Sequence, residues 1–256
     1  FDIQEISLLL CRSEKQRKNQ RLFQHDLEKS RQKTANLFFK GSFADDLAQL
    51  SKITEVDFRL GSDLPPILID GPTGSGKSTY ARWIHDHGPR QDSPFVAINC
   101  SAIPDNLVES ELFGHEKGAF TDAKSARIGL FEAADQGTLF LDEIASLSSK
   151  AQTKLLLAIE SKIIRRVGGT KEIKTDVRII GAANQDLRRM ITEGSFREDL
   201  FHRLDLLRIK IPPLSSRGKD ISGLAKHLLI HLAHKYKLQT PAIATEAEKS
   251  LISNPW

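Results

Sequence analysis

Gly71-Pro72-Thr73-Gly74-Ser75-Gly76-Lys77-Ser78 has the spacing of a phosphate-binding loop, G-x-x-x-x-G-K-[ST]. Closely spaced glycines let the backbone curl until successive N–H groups point inward at an anion. Lys77 is placed to reach the outer phosphates, and the Ser78 hydroxyl to sit on Mg2+. A second chemical pair lies downstream, where Asp142-Glu143 closes the apolar run Thr138-Leu139-Phe140-Leu141. Asp142 can help hold the metal of a Mg-nucleotide, and Glu143 can polarise a water for attack on the terminal phosphorus. An isolated Asp-Glu pair usually caps the next helix, but here the phosphate loop upstream favours the catalytic assignment.

The elements that must position these groups can be read from periodicity. Ile67-Leu68-Ile69 is an apolar run of the buried-strand type, and Ser78–His85 reads as a helix whose N-terminus faces the phosphates. Upstream, Ala44–Ile53 reads as an amphipathic helix. Further strands are expected at Phe95–Asn99, Thr138–Leu141, Val177–Ile180 and Leu207–Ile211, the last closed by Pro212-Pro213. Between them, helices are expected at Ile103–Phe113, with Asp105 as N-cap, and at Gly129–Ala134. Lys150–Ile159, Leu187–Thr192 and Arg197–Leu204 read as helices too, with Leu155, Leu156 and Ile159 turned inward. Ile163–Val167 and Lys171–Lys174, joined through Gly168-Gly169, form a hairpin pattern. Ile221–Tyr236 and Thr245–Ser253 follow as helices. Strands alternating with helices imply a parallel sheet covered on both faces, with nucleotide at the carboxyl ends of its strands.

The composition excludes several classes. With 256 residues, 39% apolar and 27% charged, the chain has the means to build a core and is not of disordered composition. No apolar run is long enough to span a bilayer. Cys11 and Cys100 supply neither a disulfide framework nor metal-ligand spacing, which points to the cytoplasm. The chain starts at Phe1 without a methionine, and is expected to be a piece of a longer protein. Residues 1–40 carry nine Lys/Arg and five Asp/Glu, so they hold the whole net charge of +4 and the rest is neutral. A neutral body argues against direct DNA binding by that body. For residues 1–40 a solvated charged helix is favoured; a linker helix and a basic arm on nucleic acid are the alternatives.

From Gly41 to Trp256 the sequence resembles the AAA+ module of bacterial enhancer-binding proteins, the activators of sigma-54 RNA polymerase. The resemblance rests on the run Glu111-Leu112-Phe113-Gly114-His115-Glu116-Lys117-Gly118-Ala119-Phe120-Thr121-Asp122-Ala123, on Gly137–Glu143, on Phe196–Leu204, and on Ile211–Leu214 with Arg217–Ile221. It implies an AAA+ P-loop NTPase of the α/β class, a five-stranded parallel sheet between helices, over residues 41–214. A truncated C-terminal helical lid over residues 215–256 would follow, with residues 1–40 as a basic helical linker or arm. It implies Mg-dependent ATP hydrolysis coupled to remodelling of the sigma-54 holoenzyme, in a ring oligomer, a hexamer in the family's manner. ATP and Mg2+ are the implied cofactors; Gly71 to Ser78, Thr79 and Asp142 would bind the nucleotide, and Ser78 and Asp142 the metal.

Residue by residue, the resemblance makes Asn99 the switch that holds Glu143 until the site is primed. It makes Asn184 the sensor of the γ-phosphate, and Arg197 and Arg203 arginine fingers reaching a neighbouring subunit's ATP. For the two arginines, pairing with Glu198 and Asp199 on their own helix is the alternative. Gly118, Ala119, Phe120 and Thr121 would form the tip that engages sigma-54. An exposed Phe on a Gly-flanked tip is costly without a partner; folding back into the core is the alternative. The family pattern departs at Asp122, where it has Gly. This keeps a second function open, a nucleotide-dependent regulatory AAA+ protein that does not engage sigma-54. A generic AAA+ remodeller of other proteins is disfavoured by the Glu111–Ala123 run. Ser78-Thr79 replaces the family's usual Glu after the loop lysine and restores a metal-binding hydroxyl. The family's second sensor and its DNA-binding domain would lie past Asn254-Pro255-Trp256, so DNA contact through this chain is not expected.

Overall fold

Five short apolar runs become the strands of one parallel sheet, as the alternation requires. In a computed structural model of the protein these are β1 Ile67–Asp70, β2 Phe95–Asn99, β3 Thr138–Asp142, β6 Arg178–Ala183 and β7 Leu207–Lys210. Their spatial order is β2-β3-β6-β1-β7. Every neighbouring pair is parallel, with Asp70 beside Ala183 and Lys210, and Asn99 beside Asp142. The structure describes residues 41–256 except Ser42, Asp122, Lys219 and Pro255, all within one compact unit, Phe38–Trp256. The expected arm over residues 1–40, and the departure at Asp122, lie outside the described residues.

The three inner strands, β1, β3 and β6, are buried because helices cover them, while β2 and β7 at the edges are partly exposed. β6 is buried along its whole length, as a central strand packed on both faces must be. The helices are α1 Phe43–Leu60, α2 Lys77–Asp86, α3 Asp105–Phe113, α4 Leu130–Ala133, α5 Ser149–Ser161, α6 Leu187–Thr192 and α7 Glu198–Leu204. One core joins Leu112, Phe113, Phe131, Leu139, Leu141, Leu155, Leu200 and Leu204 around β3. After β7 a short 3-10 turn, Leu214–Arg217, leads to α8 Asp220–Tyr236 and α9 Thr245–Ser253. Lys226 of α8 pairs with Glu248 of α9 at 3.0 Å.

Three sequence expectations are corrected. α1 runs seven residues past Ile53, because Asp57 is drawn in by Arg178 of β6 at 2.9 Å, an ion pair with both side chains almost fully buried. Asp105 is not an N-cap: Pro104 occupies that position, no side chain caps the helix, and Asp105 stands in its first turn. A carboxylate there still meets the positive end of the helix dipole. The hairpin ladder is shorter than its apolar pattern, pairing only β4 Ile163–Ile164 with β5 Ile173–Lys174. Val167 leaves it to form a parallel bridge with His115.

Candidate functional site

β1 ends at Asp70 and the chain turns through Gly71–Gly76 before α2 begins at Lys77. Gly76, immediately before that helix, has φ 93°, a left-handed conformation that costs a side chain strain and glycine nothing. The first N–H groups of α2, and the loop before them, therefore open at the carboxyl end of the sheet. Lys77 is buried, and its Nζ donates to the carbonyls of Gly71 at 2.9 Å and Pro72 at 3.0 Å. No carboxylate pairs with it among the described residues. A buried ammonium facing carbonyls only, at a helix N-terminus, is the donor set a phosphate chain requires. Ser78 is exposed on the first turn of α2, on the second position of the helix.

Two strands away across β6, β3 delivers the carboxylates. Asp142 is its last residue, and Asp142 Oδ1 accepts from the Glu143 N–H at 3.0 Å. Glu143 takes a left-handed conformation, φ 53° and ψ 47°. Few non-glycine residues adopt it, and such positions concentrate at functional sites. On the far side of β3, Asn99 ends β2 in register with Asp142. Asn99 Oδ1 accepts from Ser101, from its N–H at 2.9 Å and from its Oγ at 2.8 Å. Between them, Cys100 is buried; burial first, then the carboxylates of Asp142 and Glu143, push its thiol up to about 12.

Asn184 follows β6 directly, and its Nδ2 donates to Thr73 Oγ1 of the phosphate loop at 3.1 Å. β6 lies between β1 and β3, so Asn184 stands between the loop and the Asp142-Glu143 pair. A cleft of about 950 Å3 opens over the ends of β1, β6 and β7, lined among others by Asp46, Gly71, Pro72, Asn184, Arg208 and Pro212. Its outer wall is tied by a cluster that sequence reasoning missed. Tyr80 of α2 donates to Asp46 of α1, and Arg217 pairs with the same carboxylate at 2.7 Å while lying 3.8 Å over the Phe43 ring. These partners are far apart in the chain, and no local pattern could have joined them.

Arg197 and Arg203 sit at the two ends of α7, and neither touches the phosphate loop among the described residues. Arg197 makes two bonds to Asp199, at 3.0 and 2.6 Å, which hold the Asp199 carboxyl below the usual carboxylate range. Pairing within its own helix thus occurs for Arg197. Arg203 is exposed and shares a cavity of about 330 Å3 with Asp63, Lys162 and Asp176. That cavity lies where Pro66, Val177 and Leu206 enter their strands, at the opposite end of the strands from the phosphate loop.

The run from Gly114 to Gly129 projects as a loop between α3 and α4, and two backbone seams knit its base. His115 bridges Arg127, and Glu116 N–H donates to Val167 O at 3.0 Å. Gly168 lets the hairpin approach: a Cβ there would lie 2.7 Å from that of Ala119. Arg166 joins the same base to Glu132, through bonds of 2.8 and 2.7 Å, and to Glu116 at 3.1 Å. Gly118 N–H donates to Ala123 O, closing the tip around Ala119, Phe120 and Thr121. Phe120 is 36% exposed and meets the His115 ring edge-on at 5.0 Å, so it is neither free in solvent nor folded into the core.

The family model described as the Sigma-54 interaction domain matches residues 43–210. The chain is 41% identical over 259 residues to the DNA-binding transcriptional regulator NtrC of Salmonella typhimurium, an alignment covering 100% of this chain and 53% of that protein. It is 47% identical over 190 residues to the transcriptional regulatory protein GlrR of Escherichia coli, covering 74% of this chain and 43% of that one. Among solved structures, NtrX from Brucella abortus in complex with ATP superposes with a TM-score of 0.76 at 32% identity, over 100% of this chain and 53% of that one. The chain thus spans about half the length of the relatives it matches.

Proposed function

The chain belongs to the family of sigma-54 interaction domains, the AAA+ modules of bacterial enhancer-binding proteins, and on that premise we propose that it hydrolyses ATP to remodel sigma-54 RNA polymerase and activate transcription. The observation that carries this is the carboxyl end of the sheet: buried Lys77 at the end of a glycine-rich loop, Asn184 bonded to that loop, and Asp142-Glu143 ending the strand two places away. The loop from Gly71 to Gly76, with Lys77, Ser78 and Thr79, would cradle the phosphates, and the N-terminus of α2 favours their charge. Ser78 and Asp142 would hold Mg2+, which when bound draws charge off the β- and γ-oxygens.

Glu143 is the group for the attacking water. Its carboxylate accepts a proton from that water as the water's oxygen bonds to the γ-phosphorus and the bond to the ADP oxygen breaks. Asn99 would restrain Glu143 until the site is primed, and Asn184 would report the γ-phosphate back to the loop through Thr73. Transferring phosphoryl groups carry spread negative charge, which an arginine from outside can stabilise by roughly 10³–10⁵ in rate. Arg197 and Arg203, directed away from their own loop, suit service to a neighbouring protomer, and a ring, a hexamer by family analogy, supplies that neighbour. Residues 41–214 would be the nucleotide-binding domain and residues 215–256 the start of the lid.

Gly118, Ala119, Phe120 and Thr121 would engage sigma-54. Their seams to the hairpin give nucleotide-driven movement a rigid path to the tip. No described helix is long and apolar enough to cross a membrane. The test is capture of sigma-54 by this chain in the presence of ADP–aluminium fluoride. Capture that ADP alone does not support, and that Phe120→Ala abolishes, is expected. ATP turnover without any capture would instead make the chain a nucleotide-dependent regulator that does not engage sigma-54, with Asp122 as the first residue to restore to Gly.

A further inference from the structure

The turn after β2 contains one hydroxyl that the function above leaves unused. We propose that Ser101 is a positioning residue that sets which face of the Asn99 amide is presented to Glu143; this rests on the role given above to Asn99. The chemistry of the bonds decides the orientation. A backbone N–H can only donate, so the atom of Asn99 that meets the Ser101 N–H at 2.9 Å must be its oxygen. The Ser101 Oγ, 2.8 Å from the same oxygen, donates into the second lone pair. Both acceptor sites of the amide oxygen are then filled, and the NH2 group is the part of the amide left outside these two bonds.

That side suits its surroundings. Asn99 stands in register with Asp142, and Glu143 is the next residue. A carboxylate only accepts hydrogen bonds, so an NH2 group holds it and an amide oxygen repels it. Rotating the Asn99 amide by half a turn would convert a restraint on Glu143 into a repulsion. The Ser101 hydroxyl is the second of two bonds that prevent this. Its removal leaves the N–H bond in place, so the lock weakens without disappearing. One net hydrogen bond of this kind changes the occupancy of the locked orientation by about threefold to tenfold.

The experiment is a double-mutant cycle, read both in catalysis and in the nucleotide-free protein. Ser101→Ala is expected to raise kcat for ATP about threefold, with KM unchanged, because Glu143 is held less firmly. Ser101→Thr keeps a hydroxyl and is expected to return kcat to the parental value. In an Asn99→Ala background, Ser101→Ala is expected to change nothing. Without nucleotide, 15N relaxation of the Asn99 side-chain amide should show lower order in Ser101→Ala and parental order in Ser101→Thr. An equal Ser101→Ala effect in both backgrounds, or parental amide order in Ser101→Ala, overturns the assignment of Ser101. A parental kcat in Asn99→Ala alone removes the role of Asn99 on which it rests, and the two failures are told apart by which variant is silent.

Discussion

Replacing Asp57 by Ala tests whether α1 is held by a paired charge or merely decorated by one. Asp57 and Arg178 keep 2% and 3% of their side-chain surface exposed and meet at 2.9 Å. Burial is the largest influence on both: it pushes the Asp57 carboxyl up and the Arg178 guanidinium down, against the attraction between them. The Arg178 Nε and Nη2 atoms find no hydrogen-bond partner among the described residues. The pair is therefore desolvated with incomplete compensation. Deleting Asp57 leaves a buried cation alone and should cost about 3–5 kcal/mol. At roughly 2–4 °C per kcal/mol for a domain of this size, the melting temperature should fall by about 6–20 °C. Replacing both, Asp57→Leu with Arg178→Met, should recover most of that loss, since apolar groups of similar volume need no partner.

The two single variants also differ in their response to pH. In Arg178→Met the buried Asp57 carboxyl stays above its unfolded value, so the folded state binds the proton more tightly. The loss then shrinks as pH falls through the folded value of Asp57. In Asp57→Ala the cation cannot be relieved, and the loss persists. The assay is thermal unfolding of the single and double variants across a pH series running down from pH 7 toward the ordinary carboxylate range. A double variant no more stable than Asp57→Ala, or identical pH responses of the two singles, would refute the reasoning.

Other outcomes are more direct. Glu143→Gln should bind ATP with parental affinity and lose about 10²–10⁴ in turnover, measured by nucleotide titration and phosphate release; parental turnover would remove Glu143 as the base. Arg203→Ala should lower kcat in the assembled ring by about 10³ or more with little change in nucleotide affinity. Arg197→Ala should do the same, and Asp199→Ala, which frees Arg197 from its own helix, should leave affinity intact; parental rates in both arginine variants would end the shared-site arrangement. In a Cys11→Ser background, Cys100 should resist iodoacetamide at pH 8.5 by about three orders of magnitude relative to the unfolded chain, because only the thiolate reacts. Ready labelling of the folded protein would contradict its burial.

The elements built from consecutive residues were legible from the start. An apolar run, a glycine turn and a helix in succession can only be the loop between β1 and α2. Thr138 to Glu143 likewise ends a buried strand in carboxylates wherever it lies in the sheet. Backbone propensity and side-chain alternation act over a few residues, and the chemistry of Lys77, Ser78, Asp142 and Glu143 follows from that scale. Helix ends were less legible, since α1 continues to Leu60 for a partner that enters only with β6.

Long-range pairing belongs to the tertiary structure. The order β2-β3-β6-β1-β7 sets Asn184 between the loop and Glu143, though the loop and Asn184 are separated by more than a hundred residues. The same folding spends Val167 on His115 rather than on its own hairpin, seats Phe120 on an imidazole, and gathers Tyr80, Asp46 and Arg217 into one cluster. Polar side chains carry no period that announces a distant partner. Their choices are made when the sheet closes and each buried or half-buried group must take whichever complement lies within hydrogen-bond reach.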